Sequence, residues 1–138
     1  MVIKKTILTL TMAKKIAEAS EKKAQELNLK IVISILDDGG NLKYFLRMDG
    51  APYGSIRISQ MKANTSVSFP SSSRALSEKN SKLENRPYSS IPNIVLLSGG
   101  LPIISADGDH LGGIGVSGAT SDQDEVCAQA GLDAIHWI

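Results

Sequence analysis

Leu10, Ala13, Ala17, Ser20, Ala24 and Leu27 recur at steps of three and four, with lysines and glutamates filling the intervals. That spacing lines the small and apolar side chains along one stripe, so the segment from Leu10 to Leu27 predicts an amphipathic helix. Thr9 stands where an N-cap is needed, and Asn28 where a left-handed residue would stop the helix. The period then changes. Ile31 to Leu36 is an unbroken β-branched and aliphatic run, Asp37 to Gly40 is a turn, and Leu42, Tyr44 and Leu46 alternate with Lys43, Phe45 and Arg47. This pattern predicts a hairpin whose first strand is buried on both faces.

From Pro52 to Phe69, the positions Ile56, Ile58, Met61, Ala63 and Val67 predict a second helix, despite serines and β-branched residues that lower its propensity. Between Pro70 and Asn93 the chain is rich in Ser, Asn, Lys and Pro. It is too long for an idle connection and too polar for core, which leaves a lid, a protomer-crossing arm or a mobile loop, with a turn of helix at Ser77 to Leu83. The stretch "NIVLLSGGLPIISADGDHLGGIGVSG" holds three apolar runs separated by Gly99-Gly100 and by Asp107-Gly108-Asp109, which predicts a three-stranded antiparallel meander. Asp122 to Trp137 reads as a closing helix that buries Val126, Cys127, Ala130, Ala134 and Ile138 or a neighbouring stripe. The resulting order, α-β-β-α-β-β-β-α, contains no strand-helix-strand crossover among its final strands. An α+β fold with about five antiparallel strands and helices packed on the sheet follows.

With 138 residues, 42% hydrophobic and 4% aromatic, the chain is expected to form one domain, residues 1–138, around an aliphatic core. Fifteen Lys and Arg against fourteen Asp and Glu give a formal charge of +1, far from the basic excess that binds nucleic acid. Cys127 is the single cysteine, so no internal disulfide forms, as expected of a cytoplasmic protein. The apolar run Thr6 to Ala13 is too short and too rich in threonine for an export signal, and nothing approaches the roughly 18 apolar residues of a membrane span.

Gly113, Gly115 and Gly118 follow the spacing G-x-G-x-x-G. A dinucleotide fingerprint requires these glycines at a strand-to-helix turn, followed by a parallel crossover and an acidic residue roughly 20 positions on. Only one terminal helix follows here. Gly113 to Ser117 is therefore placed inside the last strand, where the missing side chains admit either a closely packed helix or a bound ligand, and Gly118 and Ala119 turn the chain. Ser121 or Asp122 then caps the last helix, with Asp124 and Glu125 in its positive first turn.

The stretches "DDGGNLKYFLRMDGA", "QMKANTS", "SGGLPI" and "GGIGVSGATSDQDEVCAQAG" occur in an order and at intervals that resemble the GlcG/HbpS family, over nearly the whole chain. Members of that family are small bacterial proteins often described as haem-binding or haem-degrading, and one forms the C-terminal domain of PduO-type cobalamin adenosyltransferases. The resemblance implies a profilin-like sandwich, assembly into homo-oligomers, and haem, another tetrapyrrole or a corrinoid as ligand. It also leaves open an enzyme or accessory protein acting on a small acid or aldehyde of glycolate or diol metabolism, and a purely structural oligomer.

Arg47, Asp49 and Lys62 lie on the quoted stretches and are candidates to hold an anionic ligand where the hairpin end faces a helix. The alternative is an Arg-Asp pair bracing the strand exit and a solvated lysine. Gly99, Gly100, Gly113, Gly115 and Asp124 complete the candidate ligand-binding set. The ligand pocket is expected between the hairpin end, the second helix and the polar segment. For haem, Arg57, Lys62 and Arg86 are candidate propionate partners, and the axial donor is sought among His110, His136, Met48, Met61, Tyr53 and Tyr88. His110 reads as an exposed turn residue, His136 as complementing a helix dipole, and the two methionines as core fillers. Leu10 to Leu27 contains neither His nor Cys, so no such ligand comes from that helix. No protein metal site and no catalytic triad, P-loop or zinc-helix motif is read from the sequence.

Overall fold

The computed structural model describes residues 1–135. Helix α1 spans Leu10–Glu26, and the hairpin is β1 (Val32–Asp37) with β2 (Leu42–Arg47). Helix α2 (Gly54–Ser68) leads into α3 (Ser73–Ser81) and a 3-10 turn at Pro87–Ser90. Strands β3 (Gly100–Ile104) and β4 (His110–Ser117) precede α4 (Ser121–Asp133). The four strands form one antiparallel sheet in the order β2-β1-β4-β3, so the two sequence hairpins meet along β1 and β4.

Helices α1 and α4 cover one face of this sheet, and α2 covers the other. Under α1 and α4 the core is aliphatic: Ile33 and Ile35 of β1, Leu101 and Ile103 of β3, and Ile114 and Val116 of β4 meet Ala13, Ile16, Ala17, Cys127 and Ala128. Period-two alternation in the strands and the three-four stripe of α1 dictate this arrangement. Thr9 caps α1 by accepting the Met12 N–H, and Asn28 ends it at φ 56°, as the sequence predicts.

Four strands form rather than about five. The run after Asn93 is irregular: Asn93 takes a left-handed φ of 63°, and Val95 donates its N–H to Thr65 Oγ1 of α2 at 3.0 Å. Its backbone is thus engaged by helix side chains instead of a strand ladder. The polar segment holds a full helix, α3, capped by Ser72 and starting four residues before the expected turn of helix. Thr120, not Ser121 or Asp122, caps α4, with a reciprocal bond between its N–H and Gln123. The buried stripe of α4 is Asp124, Cys127, Ala128 and Gly131, whereas Val126 is exposed and Ala130 and Ala134 are half-buried. His136, Trp137 and Ile138 lie outside the described residues.

Candidate functional site

Helix α2 lies on the sheet at backbone distance because β4 offers no side chains there. A Cβ added at Gly115 would stand 1.9 Å from the Ser59 carbonyl oxygen, and one at Gly113 would stand 2.7 Å from that of Ala63. The close-packing alternative for this Gly-x-Gly is therefore the one realised. Serines fill the remaining seam: Ser34 and Ser59 share a hydrogen bond of 2.7 Å, and Ser117 bonds Ser55 at 3.2 Å.

In the same seam Lys62 is buried, with 1% exposure. Its ammonium donates to the Val116 carbonyl at 2.9 Å and to Asp124 Oδ2 at 2.9 Å, while Asp124 Oδ1 accepts the Ala119 N–H at 3.0 Å. Burial pushes the Asp124 carboxyl up, and the hydrogen bond and charge of Lys62, then the Ala119 N–H, pull against it. Gly99 and Gly100 close around this pair. A Cβ on Gly99 would meet Val116 O at 2.5 Å and Lys62 Nζ at 2.9 Å, and one on Gly100 would meet Lys62 O at 2.3 Å. Lys62, Asp124, Gly99, Gly100 and Gly115 do come together, but in a closed knot joining α2, β4 and α4. The solvated lysine of the alternative sequence reading is thereby corrected, and so is the reading of Asp124 as a simple complement to the helix dipole.

Arg47 and Asp49 sit elsewhere, in a depression of about 400 Å³ at the exit of β2 with Met48, Ala51, Pro52 and Tyr53. Arg47 places its guanidinium 5.5 Å from the centre of the Tyr53 ring, and no Arg47–Asp49 ion pair forms among the described residues. The candidate set from the sequence is thus divided between a sealed interior and a shallow surface.

A larger cleft, of about 530 Å³, opens between the hairpin turn, α2 and the end of the polar segment, whereas the sequence reading sets its pocket at the other end of β2, beside Arg47 and Asp49. Leu36, Gly40, Asn41 and Leu42 form the hairpin wall, Arg57, Gln60, Met61 and Asn64 the helix wall, and Asn93 the third side. Asn64 Nδ2 donates to Asn93 O at 3.2 Å, which ties the third wall to the second. Among the described residues no carboxylate lines the cleft and Arg57 has no salt bridge. The sequence reading names Arg57 as a candidate propionate partner and Met61 as a core filler, and misses Asn41, Gln60, Asn64 and Asn93. Arg57, Gln60, Met61 and Asn64 recur at three- and four-residue steps, so a polar stripe beside the buried one was there to be read.

His110 is half-buried rather than exposed: its Nε2 is buried without a hydrogen-bond partner among the described residues, at a strand start close to the charged Asp38. Tyr88 packs edge-on against Phe69 at 5.2 Å, and Arg74 binds Asp122 and Glu125, fixing α3 to the first turn of α4. Burial, then the Asp124 charge, pushes the Cys127 thiol up to about 11, against a weaker downward pull from Lys23, so it is no nucleophile at neutral pH. Among the described residues no group of His, Cys, Asp and Glu is arranged to hold a metal ion, and no helix is long and apolar enough to cross a membrane.

Comparison with known proteins agrees with this architecture. The chain is 37% identical over 134 residues to an uncharacterized 15.0 kDa protein of the dhaT-dhaS intergenic region of Citrobacter freundii, covering 95% of this chain and 94% of that one. A crystal structure of a double mutant of Streptomyces reticuli HbpS superposes with a TM-score of 0.90 at 32% identity, covering 98% of this chain and 91% of that one. A crystal structure of a PduOC–haem complex superposes at 0.84 with 28% identity, covering 94% and 96%. The family model described as "Haem degrading protein HbpS-like" matches residues 8–133, and the chain belongs to this HbpS-like family.

Proposed function

We propose that this chain is a small-molecule-binding protein of the HbpS type, with its ligand in the cleft between the hairpin turn, α2 and Asn93. The proposed ligand class is haem or a related tetrapyrrole or corrinoid, in line with the haem complex of the PduOC relative. The observation that carries the reading is the cleft lining itself. A haem needs apolar contact, a cation for its propionates and a soft or basic axial donor. Leu36 and Leu42 supply the first, Arg57 the second and the Met61 thioether the third, all on one cavity. Bound there, the group would supply the ligand-field and redox chemistry of its iron; Arg57 would hold a carboxylate and Met61 would offer its thioether as a ligand.

Hemin titration tests the reading. A saturable, shifted Soret band that survives desalting is expected, with weaker binding in Arg57→Ala and a changed spectrum in Met61→Ala. Nonspecific absorbance alone overturns the reading, and an unchanged Met61→Ala spectrum removes that residue as axial donor. We also propose a homo-oligomer in the cytoplasm. The edge strand β2, with Leu42 and Phe45 exposed, supports association, and the unpaired Cys127 suits a reducing compartment.

A further inference from the structure

A tetrapyrrole is an apolar disc with a few carboxylates, and it gives the side-chain amides of this cleft no partner. Four of the nine lining residues, Asn41, Gln60, Asn64 and Asn93, end in primary amides, and Arg57 stands among them without an opposing carboxylate. An amide both donates and accepts, which matches a hydroxyl, and a guanidinium matches a carboxylate bidentately. The bond from Asn64 to Asn93 uses one donor and a backbone acceptor, so the amide oxygens remain for a ligand. The apolar share, Leu36, Leu42 and Met61, suits the carbon faces of the same molecule.

We infer that the cleft binds a small polyhydroxylated carboxylate, its acid group on Arg57 and its hydroxyls on the amides of Asn41, Gln60, Asn64 and Asn93. This inference uses the same cavity as the haem reading but does not depend on it. Neutral polyols lack the acid for Arg57, and simple fatty acids leave the amides desolvated and unpaired.

Calorimetric titration with D-gluconate, sorbitol and hexanoate tests it. Gluconate is expected to saturate, with sorbitol and hexanoate each weaker by about tenfold or more, the scale of one lost charge-assisted hydrogen bond or several neutral ones. Arg57→Ala and Gln60→Ala, both on the solvent side of α2, should each weaken gluconate about tenfold while leaving the circular dichroism spectrum unchanged. No saturation by about 10 mM gluconate, equal binding of sorbitol or hexanoate, or undiminished binding by Arg57→Ala overturns the inference. Hemin added at saturating gluconate separates it from the haem reading: mutual exclusion assigns both to one cleft. Gluconate binding in a protein that ignores hemin leaves this inference standing and removes haem.

Discussion

The two faces of the sheet are built from different chemistry. Beneath α1 and α4, interlocking Ile, Leu, Val and Ala side chains hold the layers together, and the polar groups are few: Ser20, the Cys127 thiol and, at the start of α4, Asp124. Beneath α2 the contact runs through glycine backbone, paired serines and the buried Lys62–Asp124 bridge. Apolar packing is non-directional and tolerates small changes of shape, whereas a desolvated ion pair and a backbone-to-backbone approach each demand one geometry. The face with the less forgiving geometry carries the cleft. Arg57, Gln60, Met61 and Asn64 stand on a helix whose height above the sheet is set by missing side chains.

The contrast breaks hardest at the ion pair. Asp124→Ala should cost about 3–5 kcal/mol in urea unfolding, because it strands the Lys62 ammonium, and Lys62→Met/Asp124→Leu together should return most of that loss. A double variant as unstable as the single one would show that the bonds to Val116 O and Ala119 N–H matter more than the charges. Gly115→Ala comes next. Its Cβ would collide with the Ser59 carbonyl at 1.9 Å and lift α2, costing about 3 kcal/mol, while Gly108→Ala, with a φ of 87° and open space around it, should cost about 1 kcal/mol. Ile114→Val on the aliphatic face should cost only about 1 kcal/mol and leave ligand titrations untouched.

The smallest effect concerns pH. In the fold the Cys127 thiol is pushed up to about 11 from its ordinary 9.0, so the folded state holds this proton more tightly than the unfolded one. That contribution to stability is constant below pH 9 and is lost as pH rises toward 11. Alkylation at pH 8 should be slow in the native protein and rapid in urea. Fast native alkylation would show that α4 opens more readily than its buried stripe implies.

Much of the aliphatic side was legible from periodicity. The α1 stripe, the hairpin with its doubly buried first strand, and the strands around Leu101 and Ile114 all announce themselves as apolar positions at period 3.6 or 2. The α2 side was harder because its determinants are small or charged. A lysine within "QMKANTS" reads as solvated until Asp124, sixty-two residues away, is seen beside it. The resemblance to HbpS-type proteins marked Lys62, Asp124 and the glycines, yet could not tell a sealed joint from a binding surface. Ile94 to Leu97 looked like a strand, since nothing local shows that Thr65 will take the Val95 N–H. Neither the cleft at the hairpin turn nor its amides were foreseen, because Asn and Gln scattered over three segments form no motif until the hairpin turn, α2 and Asn93 converge.

The hydrogen-bonded seam under α2 also bears on how stability varies with temperature. Exposing apolar surface to water raises the heat capacity of unfolding, by about 0.45 cal/K/mol per Å², and exposing polar surface lowers it by about 0.26. A layer of buried hydroxyls, peptide groups and one charged pair therefore subtracts from what the aliphatic layer adds. Calorimetry should find a broader, flatter stability curve than for a chain of this length with two greasy layers, leaving the protein less prone to unfold in the cold.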